Sequence, residues 1–409
     1  MRILHLCDSL NPAGLGGYES YLHYVSHAFA SEGHKSVIVS QSPSRDAPKL
    51  VHTDHYDIVY LKGNLLEARK WEFLSLPEDQ RESMVGSYFK TNDLEDNIKE
   101  LSRELITLVD EIRPDVIHAH SIYVVFNRVL MAIKDEHLDG IPIVVSIHGL
   151  PKPLILPDGT RTTDYEQLVS YCPFDVILGV SETVVDSLRE CLSTIGKEAI
   201  VRRLYNGVDT GVFTPRPEVE KKWDIGFLGR LEPMKAVDLF PEMLAVLKKR
   251  HPKLKMVITG EGSLKTRILR EFEENDVRDL VDYLGVVDQT RVPEILNSIR
   301  VFLYPSRREP FGLSVIEAMA CAVPVITANV YGPSEIVTNG HDGLTVTPGS
   351  VDELVDAIER LLLNPDLLSE IGRNARRTVE SNFSLQKHNQ RLMALYTELI
   401  RSKSSKEIV

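Results

Sequence analysis

Two carboxylates, Glu309 and Glu317, stand eight positions apart in the stretch SRREPFGLSVIEAMACAVPVI, residues 306–326. The turn Pro310-Phe311-Gly312-Leu313 follows the first, and the second lies in a helix-like run, SVIEAMAC. Ionised carboxylates only accept hydrogen bonds, and each can take the paired hydroxyls of a sugar ring. With Glu309 at the turn and Glu317 about two helical turns on, both can face one crevice, the first to hold a hexose and the second a ribose. The plainer reading of the same spacing leaves Glu317 pairing on a helix surface and Glu309 in a loop.

The elements that would position this pair are legible around it. VFLYPS reads as a buried strand before the turn and VPVI as another after the helix, which together make one βαβ unit. The turn then puts unpaired N–H groups and a helix N-terminus at the strand end, where a parallel sheet binds small anions. Upstream, Gly229-Arg230 follows the strand DIGFLG, with Lys235 five residues on. Two cations past a strand end can neutralise a diphosphate, or be ordinary surface charges.

Near the N-terminus, the strand RILHLC leads into NPAGLGGYES and a helix-like run. Gly14 and Gly16 have the G-x-G spacing of a dinucleotide site, but Glu19 stands where a third glycine belongs, and the second strand ends without an acidic residue for a ribose. Gly16 and Gly17 suit either a tight strand-to-helix turn or a loop whose N–H groups approach a phosphate. In DVIHAHS, His118 and His120 alternate with apolar residues and share one face, and no third histidine or carboxylate follows at metal-ligand spacing. They read as an acceptor contact or as plain structure. His148-Gly149 closes the strand IPIVVSIHGL at its carboxyl end.

Taken together, these motifs resemble the retaining glycosyltransferases of family 4. E-P-F-G-L-S-x-x-E-A-M-A-C-x-x-P-V-I matches the family signature, with the glycine-rich N-terminal loop, the HG pair, GRLxPxK and GPSEIV around it. Ala322 departs from it, standing where the family has glycine, and is expected to be a tolerated packing change. The resemblance implies the α/β GT-B fold: two doubly wound, Rossmann-like domains facing an interdomain cleft. It assigns residues 1–205 to an acceptor-binding domain and 206–384 to a nucleotide-sugar donor-binding domain, with a C-terminal helix at about 385–402 packing back on the first.

It also implies roles. His148, Arg230, Lys235 and Glu309 are the expected catalytic residues. Gly16, Gly17, Arg230, Lys235, Glu309, Phe311, Gly312, Leu313 and Glu317 are the expected donor-binding residues, and His118, His120 and Tyr18 fall on the acceptor side. The expected reaction moves a hexose or N-acetylhexosamine from a UDP-linked donor to a small-molecule or saccharide acceptor, retaining the anomeric configuration. No D-x-D motif stands after a strand, so neither metal nor other cofactor is expected. Competing readings are a nucleotide-sugar 2-epimerase and a non-catalytic nucleotide-sugar-binding subunit.

Composition narrows the class. The 409 residues exceed one core, and 43% hydrophobic with 26% charged residues is ordinary for a globular protein. A net charge of −12 argues against a nucleic-acid partner and against tight docking on anionic lipid. The four cysteines, Cys7, Cys172, Cys191 and Cys321, form no CxxC pair and read as reduced thiols. A cytoplasmic protein, monomeric or homodimeric, is expected. Residues 44–100 carry no recognisable motif and read as a strand (DIVYLK) and loops before a helix, and residues 151–172 read as a loop and helix. VRRLYNGVDTGVFTP reads as an irregular domain boundary, and the tail KSSKEIV is expected to be disordered.

Overall fold

Short apolar runs separated by helices build two separate parallel sheets. The computed structural model describes every residue except 9, 11–16, 77, 91, 156–159 and 407–409, and describes the backbone alone at 17–20, 78–79, 81–82, 86 and 406. One unit comprises Met1–Leu204 with Asn389–Val409, and the other Tyr205–His388.

In the first unit the strands are β1 (Arg2–Cys7), β2 (Lys35–Gln41), β3 (Leu50–His52), β4 (Asp57–Leu61), β5 (Val116–His120), β6 (Ile143–Ile147), β7 (Pro153–Ile155), β8 (Arg161–Thr163), β9 (Val176–Gly179) and β10 (Val201–Arg203). Eight of these form a sheet in the order β10-β9-β6-β5-β1-β2-β4-β3, while β7 and β8 pair as a hairpin. All its pairings are parallel except that of the edge strand β3 with β4. β5 (VIHAH) and β6 (IVVSI) are wholly buried, His118, His120 and Ser146 included, as strands covered on both faces must be. The helix Asp93–Ile112 buries Leu94, Ile98, Leu101, Leu105 and Val109 along one stripe and ends at Arg113 in the left-handed region, just before Pro114.

The second unit has β11 (Trp223–Leu228), β12 (Met256–Thr259), β13 (Val281–Gly285), β14 (Ile299–Tyr304), β15 (Val325–Ala328) and β16 (Leu344–Val346). They form one parallel sheet in the order β13-β12-β11-β14-β15-β16. In each sheet the winding reverses once, between β1 and β5 and between β11 and β14. Such a reversal opens a crevice at the carboxyl ends of the two strands. This is the doubly wound α/β architecture of the GT-B fold, present twice.

Four local expectations are corrected. Residues 66–74 and 78–88, read as loops, are helices (Leu66–Leu74 and Glu78–Tyr88) whose weak apolar periodicity hides them. The segment at 151–165 holds the β7–β8 hairpin, then the helix Asp164–Ser170, begun by a reciprocal capping box between Thr163 and Glu166. Val201–Arg203, read as irregular, is the edge strand β10. The last helix, Leu385–Lys406, runs through most of the tail thought disordered, where Lys403 Nζ pairs with Asp175 at 2.9 Å.

Candidate functional site

In the second unit the chemistry collects at the carboxyl ends of β11 and β14. The chain leaves β11 through Gly229-Arg230 and makes a short 3-10 turn, Pro233–Lys235, before β14 brings in Tyr304. Lys235 is buried, its ammonium donating to the Tyr304 hydroxyl at 2.6 Å and to the Glu309 carboxylate, with which it forms an ion pair. Tyr304 closes the triangle by donating to the same Glu309 oxygen at 2.8 Å. Burial opposes the Lys235 charge, but Tyr304 and Glu309 outweigh it and hold the amine above the ordinary lysine range. Burial first, then the Glu309 charge, pushes Tyr304 up to about 12.

Lys235 is therefore not the free cation the sequence suggests, since its charge is already matched by Glu309. Arg230 is different. It is exposed, and among the described residues it forms no ion pair; its one recorded polar contact is the Met234 sulfur at 4.0 Å. Tyr304 carries no sequence signal of its own, being one apolar-run residue among several. Only its position at the end of the strand preceding the carboxylate turn hinted at a role.

The turn after Glu309 is built from below. Phe311, expected to touch a ligand, is 2% exposed, and its ring lies against Tyr205 and Phe383. Its side chain supports the turn instead of lining a site. Gly312 has φ of +110°, a conformation an L side chain resists, and caps the helix Leu313–Ala320. Gly332 donates its N–H to the Glu309 carbonyl at 3.1 Å, and a Cβ there would meet Phe311 Cα at 2.4 Å. The GPSEIV segment thus braces the turn, a role not visible in its sequence. Tyr205 also donates to Glu335 at 3.0 Å.

Glu317 is buried on that helix, and no hydrogen bond to its carboxyl is recorded among the described residues. Burial alone raises its pKa to about 7. A carboxylate held this way gains from a partner that donates two hydroxyls. Ala322, just past the helix, has φ of +54°, so the expectation of a mere packing change is corrected: the position favours glycine for its backbone.

In the first unit, a row of histidines crosses the carboxyl half of the sheet. His5 of β1 and His118 of β5 are register neighbours, and His120 lies two residues on. All three are fully buried, and their nitrogens lie within 4.8 Å of one another. The third histidine missing from the local sequence thus arrives from another strand. His118 binds Tyr396 through Nδ1 at 2.5 Å and Ser146 through Nε2 at 2.8 Å. His120 binds His5 through Nε2 at 3.1 Å and His148 through Nδ1 at 3.4 Å. With their nitrogens committed, His118 and His120 face the interior and do not offer themselves to an acceptor. His148 is half-buried, its ring 5.0 Å from that of Tyr21, and its backbone N–H donates to Ser121 Oγ at 3.2 Å. Asp8, just past β1, accepts the N–H groups of Tyr123 and Phe126 at 3.2 and 3.0 Å and so caps the helix Val125–His137.

Gly16 lies outside the described residues; Gly17 opens the helix Gly17–Ser31, and the Tyr18 side chain is likewise not described.

Two family models match the chain. "Glycosyltransferase Family 4" covers residues 15–212 and "Glycosyl transferases group 1" residues 213–378. A glycogen synthase of Mycobacterium tuberculosis is 26% identical over 400 residues, spanning 94% of this chain and 92% of its own. Among solved structures, the sucrose-phosphate synthase of Thermosynechococcus elongatus superposes with a TM-score of 0.78 at 20% identity, over 98% of this chain and 100% of that one. Anabaena HepE, solved in complex with UDP and glucose, gives 0.72 at 17% identity, over 97% and 100%.

Proposed function

Because this chain belongs to the group 1, family 4 glycosyltransferases, we propose that it transfers a hexose or N-acetylhexosamine from a UDP-linked donor to a saccharide or small-molecule acceptor, with retention and without a divalent metal. The observation that carries the donor half is the Lys235–Tyr304–Glu309 triangle, with the exposed Arg230 five residues before Lys235, at the sheet reversal of the second unit. The structure of HepE with UDP and glucose supports the choice of nucleotide.

The barrier is cleavage of the bond between the anomeric carbon and the diphosphate, where negative charge grows on the leaving group. Arg230 would meet that charge, together with the N–H groups at the start of the helix Leu313–Ala320. Lys235 would share its protons between the diphosphate and Glu309, orienting the carboxylate toward sugar hydroxyls. Glu317 would accept the ribose diol. Retaining glycosidases use a nucleophilic carboxylate. Glu309 is already engaged by Lys235 and Tyr304, which favours a front-face substitution. In it the acceptor oxygen bonds to the anomeric carbon as the C–O bond to phosphate breaks, and a leaving phosphate oxygen takes the acceptor proton.

Among the described residues no helix is long and apolar enough to cross a membrane. The free cysteines fit the cytoplasmic location we include in this proposal.

The test is a panel of UDP-, GDP- and ADP-sugars incubated with the protein in EDTA, following slow release of nucleoside diphosphate. Release from a UDP-sugar, lost in Arg230→Ala, is the expected result. Formation of a 2-epimer, or binding without release from any donor with or without added saccharides, would overturn it.

A further inference from the structure

Arg230 is exposed, yet the backbone on both sides of it is held by the loop Gly260-Glu261-Gly262-Ser263 that follows β12. Gly260 has φ of +112°, and a Cβ there would lie 2.0 Å from the Gly229 carbonyl oxygen. A Cβ on Gly262 would lie 2.4 Å from the Leu231 carbonyl oxygen. Residues without a side chain are what let the two loops come so close. Hydrogen bonds then join them: Leu231 donates its N–H to the Glu261 carbonyl at 2.8 Å, and Leu264 donates to the Leu231 carbonyl at 2.9 Å. Both chain neighbours of Arg230 are fixed in this way.

One pair of side chains closes the contact. Glu232 is half-buried, and both its oxygens go to Ser263. Oε1 accepts the backbone N–H at 3.1 Å, and Oε2 accepts the hydroxyl at 2.6 Å. On the other flank the Met234 carbonyl accepts the N–H of Arg307 at 2.8 Å, and the Met234 sulfur is the recorded polar contact of the guanidinium. A long, flexible side chain with so little of its own to hold it sits where residues 229–234 put it.

We propose that Glu232 and Ser263 form a clasp that positions Arg230. Both act through the arginine, as positioning residues. The proposal rests on the reading of Arg230 as the cation that meets the leaving diphosphate. For a group with that task, a misplacement of about 1 Å can cost about a hundredfold in rate. The clasp also has a plainer use. Ser263 stands just before the helix Lys265–Glu274, whose N-terminus favours a nearby carboxylate, so Glu232 steadies that helix as well. That contribution does not depend on Arg230, and the two are separable.

Hydrogen exchange, read by mass spectrometry on peptides spanning residues 229–235, needs no substrate. In Glu232→Ala this segment should exchange about tenfold faster than in wild type. In Glu232→Gln, which keeps an acceptor for the Ser263 N–H, it should exchange as in wild type. Turnover is read as release of nucleoside diphosphate from whichever donor the panel shows to be used. Glu232→Ala should lower kcat about tenfold and leave the donor KM within about threefold, and Glu232→Gln should restore most of the rate. In an Arg230→Ala background the Glu232→Ala substitution should change kcat less than about twofold, because no guanidinium is left to misplace. Unchanged exchange in Glu232→Ala, a Glu232→Gln protein as impaired as Glu232→Ala, or an equal fold loss of kcat with and without Arg230 would each overturn the clasp. Should Glu232→Ala fail to fold, Ser263→Ala, which removes the hydroxyl alone, takes its place in both measurements. Faster exchange in the variant, beside a wild-type protein that releases nothing from any donor, would leave the clasp standing and remove the transferase reading alone.

Discussion

The ammonium of Lys235 is ion-paired to the carboxylate of Glu309, and the Tyr304 hydroxyl binds both. A buried pair of this kind behaves asymmetrically on mutation. Lys235→Ala strands the Glu309 charge and should destabilise the second unit by about 3–5 kcal/mol. Lys235→Met combined with Glu309→Gln, which removes both charges, should cost far less. Urea denaturation of the two single variants and the double variant measures the difference; equal losses in Lys235→Ala and in the double variant would show that the pair is not coupled.

Arg230 gives the opposite pattern. Exposed and, among the described residues, without a carboxylate partner, it should be removable with less than about 0.5 kcal/mol change in stability. Its loss should still lower kcat by about a hundredfold or more if it meets the leaving diphosphate. Thermal melts and donor-hydrolysis rates on Arg230→Ala separate the two effects. A variant as active as wild type would remove Arg230 from the mechanism.

Glu317 predicts a pH dependence of stability. Its carboxyl titrates at about 7 in the fold, against 4.5 for an ordinary glutamate, so the folded state holds the proton more tightly. Below 4.5 both states are protonated and no penalty exists. As pH rises from 4.5 toward 7 the unfolded state ionises first and stability falls, by on the order of 3 kcal/mol when the window is crossed. Glu317→Gln should abolish that decline, matching wild type at acid pH and exceeding it above neutrality. UDP affinity should move the other way in wild type, rising through neutrality as the carboxylate forms. A melting-temperature gap between the two proteins that is constant with pH would refute the assignment.

Ala322 offers a gain. At a φ of +54° it holds a conformation that glycine adopts without strain, so Ala322→Gly should stabilise the second unit by about 0.5–1 kcal/mol, with turnover unchanged. A lowered melting temperature would contradict this.

The site was legible where chemistry is written in residue type and failed where it depends on what a neighbour supplies. Glu309, Arg230 and Lys235 announce themselves by charge, spacing and position after strands. That Lys235 is paired could not be read, because Glu309 lies in a different βαβ unit. Tyr304 looks like any strand residue until the fold brings a cation and a carboxylate to its hydroxyl. Phe311 drew attention by adjacency, yet a buried aromatic platform gives the same local sequence as a ligand contact. His118 and His120 showed their common face through period-two alternation. Their third partner, His5, is separated by more than a hundred residues, and only strand register reveals it. The sheets themselves were clear because buried parallel strands leave continuous apolar runs, whereas the short helices at 66–88 have little apolar periodicity to read.

The first unit takes Tyr396 into its core, where its hydroxyl meets His118 from 278 positions along the chain. Residues 205–388, by contrast, form their unit from one uninterrupted segment. During synthesis the second unit has all its strands before the last helix of the first has been made. The unit that begins first is thus the one completed last, and until then it lacks the contacts of Tyr396 with His118 and Phe29. The order in which the two units begin is the reverse of the order in which their segments are complete.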